Sequence, residues 1–227
     1  MNKIAIIPAR SGSKGLKDKN VIDICGKPLL AYSIEAALKS SLFEKVILST
    51  DSEKYAQIGE SFGAEIMMRG EKLSDDKATT FMVIEDILSR LESPCDYFVL
   101  LQPTSPLRTE KHVKEAVELF ESHYSDFDFL VSVKEAEHAN VLVKPIEDDL
   151  SLKHFDTDFS NYRRQGYKDF SPNGAIFIAK TQQYLNQKHF FGVKSMAYKM
   201  NKVDSVDIDD ELDYKFACLL MGEKKNG

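Results

Sequence analysis

The chain has 227 residues, 43% of them hydrophobic, a formal net charge of −6 and three cysteines. That length and apolar content are enough to bury a full core, which excludes a globally disordered chain, and the acidic balance excludes a broad electrostatic footprint for nucleic acid. Cys25, Cys95 and Cys218 lie far apart, with no CxxC pair and no zinc-ligand spacing, so they read as packing residues in a reducing compartment. The apolar run near Met1 turns polar at once and is too short for a signal-peptide core or a membrane span, so a cytoplasmic protein with no membrane partner is expected.

In chain order, five short apolar runs rich in branched residues, at 3–9, 45–50, 64–68, 96–102 and 128–133, predict buried strands. Between them, 28–40, 52–63, 78–91 and 109–122 repeat apolar positions at helical spacing, with Pro28 suited to a first helical turn. This alternation predicts an α/β, Rossmann-like three-layer sandwich, a mostly parallel sheet with helices on both faces. From about 134 to 171 the rhythm fails. That stretch is charged, carries scattered aromatics and is too long for an ordinary connection, which predicts a protruding excursion serving dimerisation, a lid or both. The core pattern resumes at 173–180 and 195–200 and closes with an amphipathic helix near 211–221, all within a single domain over 1–227.

Ligands of such sheets sit beyond the carboxyl ends of the strands, and "PARSGSKGLKDKN" (8–20) follows the first strand directly. The stretch completes neither GxxxxGK[ST] nor GxGxxG. Yet Gly12 and Gly15 let backbone N–H groups approach an anion, Arg10 offers a bidentate fork, and Lys14 and Lys19 offer compact positive charges. That combination suits a polyphosphate. Near the other end, "DSVDIDDELD" carries Asp207 and Asp209 two residues apart; in an extended chain both carboxylates project to one side and can hold a hard divalent cation, Mg²⁺ being the natural choice beside phosphates. The same acidic run suits the N-terminus of the following helix, so spacing alone leaves cation binding and capping both open. "LLQPTSPLRT" (100–109) follows the fourth strand and delivers Gln102, Thr104, Ser105 and Arg108 to the edge that holds the glycine loop, with Thr109 as the cap of the next helix.

"IIPARSGSKGLKDKN", "LLQPTSPLR", "PNGAIF" and "SVDIDDELD", in this order and at these distances, resemble the acylneuraminate cytidylyltransferases, the CMP-sialic acid synthetases, from about residue 4 to 220. The resemblance implies a nucleotidyltransferase that moves CMP from CTP to the anomeric 2-hydroxyl of N-acetylneuraminic acid, a nine-carbon 2-keto-3-deoxy sugar acid, by in-line displacement of pyrophosphate with Mg²⁺ as cofactor. It places Arg10, Ser13, Lys14, Lys19 and Asn20 at the CTP phosphates, Arg69, Ala78 and Thr80 at cytosine and ribose, and the metal on Asp207 and Asp209. Arg10, Lys14, Lys19 and Asp209 are then the catalytic set. On the sugar side it places Gln102, Phe177 and Arg163, the last meeting the sugar carboxylate, with Phe190 and Phe191 reaching in from the neighbouring subunit of a homodimer that shares its active sites.

Two departures from the family pattern lie on the sugar side. Leu142 stands where a bacterial member has a lysine, with Lys144 nearby as a substitute, and Phe177 stands where a tyrosine is expected. They leave open the same reaction on legionaminic or another nonulosonic acid. The reading of a different class is a sensor that binds CTP without turning it over; the paired aspartates beside a phosphate loop favour chemistry.

Overall fold

The computed structural model describes residues 1–227 apart from 13, 14, 157, 159, 161–167 and 227, with the backbone alone described at 224–226. β1 (Lys3–Pro8) leads through the glycine loop to a small hairpin, β2 (Asp23–Ile24) and β3 (Lys27–Pro28), and then to α1 (Leu29–Ser40). There follow β4 (Lys45–Thr50), α2 (Glu53–Ser61), β5 (Glu65–Met68), α3 (Thr80–Ser89), β6 (Tyr97–Leu100) and α4 (Glu110–Ser122). β7 (Phe129–Glu135), β8 (Phe170–Lys180), α5 (Thr181–Gln187), β9 (Ser195–Lys199) and α6 (Glu211–Asn226) complete the chain.

One sheet orders its strands β5-β4-β1-β6-β8-β7-β9, and each pairing is parallel except the two made by β8, which runs antiparallel to β6 and to β7. β1 lies between β4 and β6, with Ile6 opposite Ile47 on one side and Leu100 on the other. Being covered on both faces, β1 is apolar from Ile4 onward rather than alternating. Ala5 and Ile7 pack with α1, α2 and α4 through Ile34, Tyr55 and Val117, whereas Ile4 and Ile6 pack with α3 and α5 through Ile84, Ile87 and Tyr184. The three layers are thereby fixed.

Local signals set the helix starts. Ser52 accepts the Tyr55 N–H with its hydroxyl and Thr79 accepts that of Met82, while the Thr109 N–H donates to His112 Nδ1 at the start of α4. Pro28 sits one position before α1, as the last residue of β3, rather than inside the first turn.

From β1 the chain runs outward to β4 and β5 and then crosses back to β6 on the other side of β1. Strand order reverses there, and the loops after β1 and β6 diverge to leave a crevice. The excursion leaves the sheet where β7 and β8 extend past their neighbours, pairing as far as Glu135 with Phe170, and its neck is closed by Ala136 N–H donating to the Asp169 carbonyl at 2.9 Å. Beyond the neck, Val143, Ile146, Leu150 and Leu152 are exposed.

Candidate active site

The glycine loop is held by acids that do not face the crevice as free charges. The Asp51 carboxylate, just past β4, accepts the Ser11 N–H at 2.7 Å and the Ser11 hydroxyl at 2.9 Å. Asn20, 6% exposed, donates through Nδ2 to the Arg10 carbonyl at 3.0 Å and closes the loop on itself. Arg10 Nη1 donates to the Asp75 carbonyl at 3.2 Å and approaches Asp76 Oδ1 at 3.4 Å, long contacts that a triphosphate oxygen can replace.

The acidic segment reaches the same place from the far end of the sequence. Residues 206–209 are extended: Val206 and Ile208 turn inward onto α6 and the β2–β3 hairpin, and Asp207 and Asp209 turn the other way. Ile208 N–H donates to the Thr104 carbonyl at 2.9 Å, which ties the segment to the loop after β6. Upstream, the buried Asn173 donates to Ser205 Oγ at 2.9 Å and accepts from Ser132 Oγ at 2.6 Å, pinning the approach to β7 and β8. Lys19 Nζ then lies 3.0 Å from Asp209 Oδ1. At Gly15 a Cβ would lie 2.5 Å from the Asp209 carbonyl oxygen. Gly15 is therefore glycine so that the basic loop and the acidic segment can touch; the sequence reading had given it to the anion.

Helix capping falls to neighbours of the pair. Asp210 Oδ1 accepts the N–H groups of Leu212 (2.8 Å) and Asp213 (3.0 Å), and Asp213 Oδ2 accepts those of Asp209 and Asp210. The Asp209 side chain is left 79% exposed with Lys19 on one oxygen. Asp207 is different: its Oδ1 is buried without a hydrogen-bond partner among the described residues, and burial raises its carboxyl above the ordinary range, outweighing a hydrogen bond from Thr104 and the attraction of Lys19. An orphaned carboxylate oxygen beside a second carboxylate offers the kind of oxygen donors that a hard cation takes. Among the described residues no group of three or more His, Cys, Asp or Glu is placed to hold a metal ion.

These groups line one cavity of about 460 Å³, whose wall includes Arg10, Gly15 and Lys19 from one end of the chain and Asp207 and Asp209 from the other. Arg69, Ala78 and Thr80 form its far side. Arg69 is 8% exposed, its Nε has no partner among the described residues, and burial lowers its pKa. A second cavity of about 520 Å³ adjoins the first along Thr79, Thr80 and Gln102, and is walled by Phe177, Tyr184, Phe190 and Phe191.

The structure thus brings together Arg10, Lys19, Asn20, Arg69, Ala78, Thr80, Gln102, Asp207 and Asp209 at the first cavity and Gln102, Phe177, Phe190 and Phe191 at the second. Ser13, Lys14 and Arg163 lie outside the described residues. Leu142 and Lys144 belong to the excursion, apart from both walls. The aromatic pair is divided. Phe190, 6% exposed, packs on Tyr184 (ring centroids 4.7 Å apart) and Phe177 (5.0 Å) of its own chain. Phe191 is 49% exposed. Arg108 and Ser105, expected at the crevice edge, are wholly interior, at 2% and 0% exposure. The sequence reading missed Asp51, Asp75 and Asp76, whose only signal is an acid within three residues after a predicted strand or before a predicted helix, and it missed what Gly174 does. Gly174 has φ +76°, and a Cβ there would lie 2.8 Å from both Gln102 Oε1 and Asp207 Oδ2.

The family model described as Cytidylyltransferase matches residues 4–221. The chain belongs to the cytidylyltransferase family. This cytidylyltransferase is 49% identical over 223 residues to the N-acylneuraminate cytidylyltransferase of Escherichia coli, covering 98% of this chain and 52% of the relative, so it spans about half that protein's length. It is 32% identical to the CMP-N,N'-diacetyllegionaminic acid synthase of Legionella pneumophila, covering 97% of each. Among solved structures it resembles a CMP:2-keto-3-deoxy-manno-octonic acid synthetase complexed with CTP, with a TM-score of 0.74 at 16% identity over 99% of this chain and 100% of that one, a likeness of fold.

Proposed function

We propose that this cytidylyltransferase is a CMP-sialic acid synthetase, transferring CMP from CTP to the anomeric 2-hydroxyl of N-acetylneuraminic acid with release of pyrophosphate. The observation that carries this reading is the convergence of Arg10, Gly15 and Lys19 with Asp207 and Asp209 on one cavity that opens into a second, aromatic one. The 49% identity to an N-acylneuraminate cytidylyltransferase, against 32% to a legionaminic acid enzyme, supports the choice of sugar.

In this reading the triphosphate lies along the glycine loop. Arg10 exchanges its contacts with Asp75 and Asp76 for phosphate oxygens, and Lys19, held beside Asp209, places a compact charge where negative charge builds up on departure of pyrophosphate. Ser13 and Lys14 add donors to the same loop. Arg69, Ala78 and Thr80 hold cytosine and ribose, and Gln102, at the junction, orients the sugar against the α-phosphorus. Arg163 meets the sugar carboxylate. A divalent cation, Mg²⁺ by our reading, would be held by Asp207 and Asp209 and would supply Lewis-acid neutralisation of the phosphate oxygens.

The test incubates the protein with CTP, Mg²⁺ and a panel of N-acetylneuraminic, legionaminic and pseudaminic acids, and measures pyrophosphate and the mass of the CMP-sugar. N-acetylneuraminic acid is expected to give the highest kcat/KM. Higher turnover of legionaminic or pseudaminic acid would move the assignment to that sugar, and CTP binding without any product would leave a sensor.

The same reading makes the protein a cytoplasmic homodimer, one domain over 1–227 whose excursion covers the neighbour and completes its sugar site. No described helix is long and apolar enough to cross a membrane. Exposed Val143, Ile146, Leu150 and Leu152 are the surface that a second copy would bury. Sedimentation should show a dimer for the wild type and a largely inactive monomer for Leu150→Asp; a monomer of full activity would remove the shared site.

A further inference from the structure

Arg108 lines neither the nucleotide cavity nor the sugar cavity, yet its guanidinium is fully buried and reaches three separate elements. Nη1 donates to the carbonyls of Gln102 (3.1 Å) and Ala175 (2.8 Å), and Nη2 donates to Ser33 Oγ on α1. Ser33 Oγ in turn donates to the same Gln102 carbonyl at 3.1 Å. The β6–β8 ladder ends at Leu100 opposite Phe177. Beyond that point the guanidinium takes over from ladder hydrogen bonds and holds the two main chains together.

Each carbonyl it holds adjoins a group at the site. Gln102 carries the side chain that lines both cavities. Ala175 follows Gly174, where a Cβ would lie 2.8 Å from both Gln102 Oε1 and Asp207 Oδ2. Burial pushes the guanidinium down to about 9, opposed by the Asp207 carboxylate, so it is charged at neutral pH. The planar fork spreads these contacts over two nitrogens held in a fixed plane, whereas a lysine offers its three donors from a single point at the end of a flexible stem.

We propose that Arg108 is a positioning residue, which together with Ser33 latches the Gln102 carbonyl to β8 and so holds Gln102 beside Gly174 and Asp207 where the nucleotide and sugar cavities meet. Its kinetic consequence rests on the nucleotidyl-transfer reading above.

The test compares Arg108→Lys and Ser33→Ala with the wild type by KM for each substrate, by kcat, and by hydrogen exchange of peptides covering 100–108 and 172–178. Arg108→Lys is expected to raise KM for the sugar acid at least tenfold and lower kcat at least tenfold, to leave KM for CTP within twofold, and to speed exchange in both peptides. Ser33→Ala should move the same quantities in the same direction by about threefold. Faster exchange with unchanged kinetics would overturn the proposal, as would losses that affect both substrates equally in step with lost folded protein. Should Arg108→Lys fail to fold, Ser33→Ala decides by the same readouts. A wild type that consumes CTP with none of the sugar acids overturns the functional reading instead; unaltered exchange in both variants then refutes the latch by itself.

Discussion

Asp209→Ala is expected to lower turnover by about 10²-fold or more while leaving Tm nearly unchanged, and Asp210→Ala is expected to do the reverse. Removing one preorganised electrostatic group from the reacting centre typically costs 10²–10³-fold in rate. The Asp209 side chain touches Lys19 and is otherwise exposed, so little of the fold depends on it. Asp210 instead accepts two N–H groups at the start of α6. Losing such a cap costs about 1 kcal/mol, a fall in Tm of about 2–4 °C for a chain of this size. Thermal melts and steady-state rates on the two variants check both halves. Full activity in Asp209→Ala would remove that carboxylate from the reaction.

Asp207→Asn should abolish metal-dependent turnover and yet make the metal-free protein more stable at pH 7. Among the described residues the buried Oδ1 has no hydrogen-bond partner, and burial raises the pKa of this carboxyl in the folded state. A raised folded-state pKa means that the contribution to stability is fully present below the unfolded pKa and is lost as pH rises through the folded value. At neutral pH the ionised Asp207 is therefore a cost, of about 1–3 kcal/mol by analogy with unsatisfied buried groups. The variant should melt above the wild type at pH 7, the difference should close as pH falls through the carboxylate range, and added Mg²⁺ should raise Tm for the wild type alone. A group kept at such a cost is retained for chemistry. A lower Tm at every pH would mean that Asp207 serves the fold.

The part of this architecture carried by local signals was legible. Apolar runs such as 45–50 and helical spacing such as 109–122 depend on short windows of sequence, and the elements lie at Lys45–Thr50 and Glu110–Ser122. Strand direction is not local: β8 has the composition of any buried strand, and its antiparallel pairing follows from the excursion bringing the chain back on itself. The β2–β3 hairpin was hidden because its turn uses Cys25 and Gly26 at φ 53° and 88°, where Asn or Asp would have advertised it. α5, a short helix between two strands, was also absent from the sequence reading. At the site, the period-2 alternation of Val206, Asp207, Ile208 and Asp209 was readable, whereas the burial of Arg108 was not. Burial there depends on Ser33, Gln102 and Ala175, distant in sequence, offering acceptors around one point.

The most direct measurement is a crystal structure of the protein with a non-hydrolysable CTP analogue and Mn²⁺, the metal located by its anomalous signal. The account predicts one triphosphate in contact with Arg10 and Lys19, and a metal peak bridging that triphosphate to Asp207 and Asp209. A triphosphate seated away from the glycine loop, or a metal bound elsewhere while Asp207 and Asp209 stay bare, would contradict it.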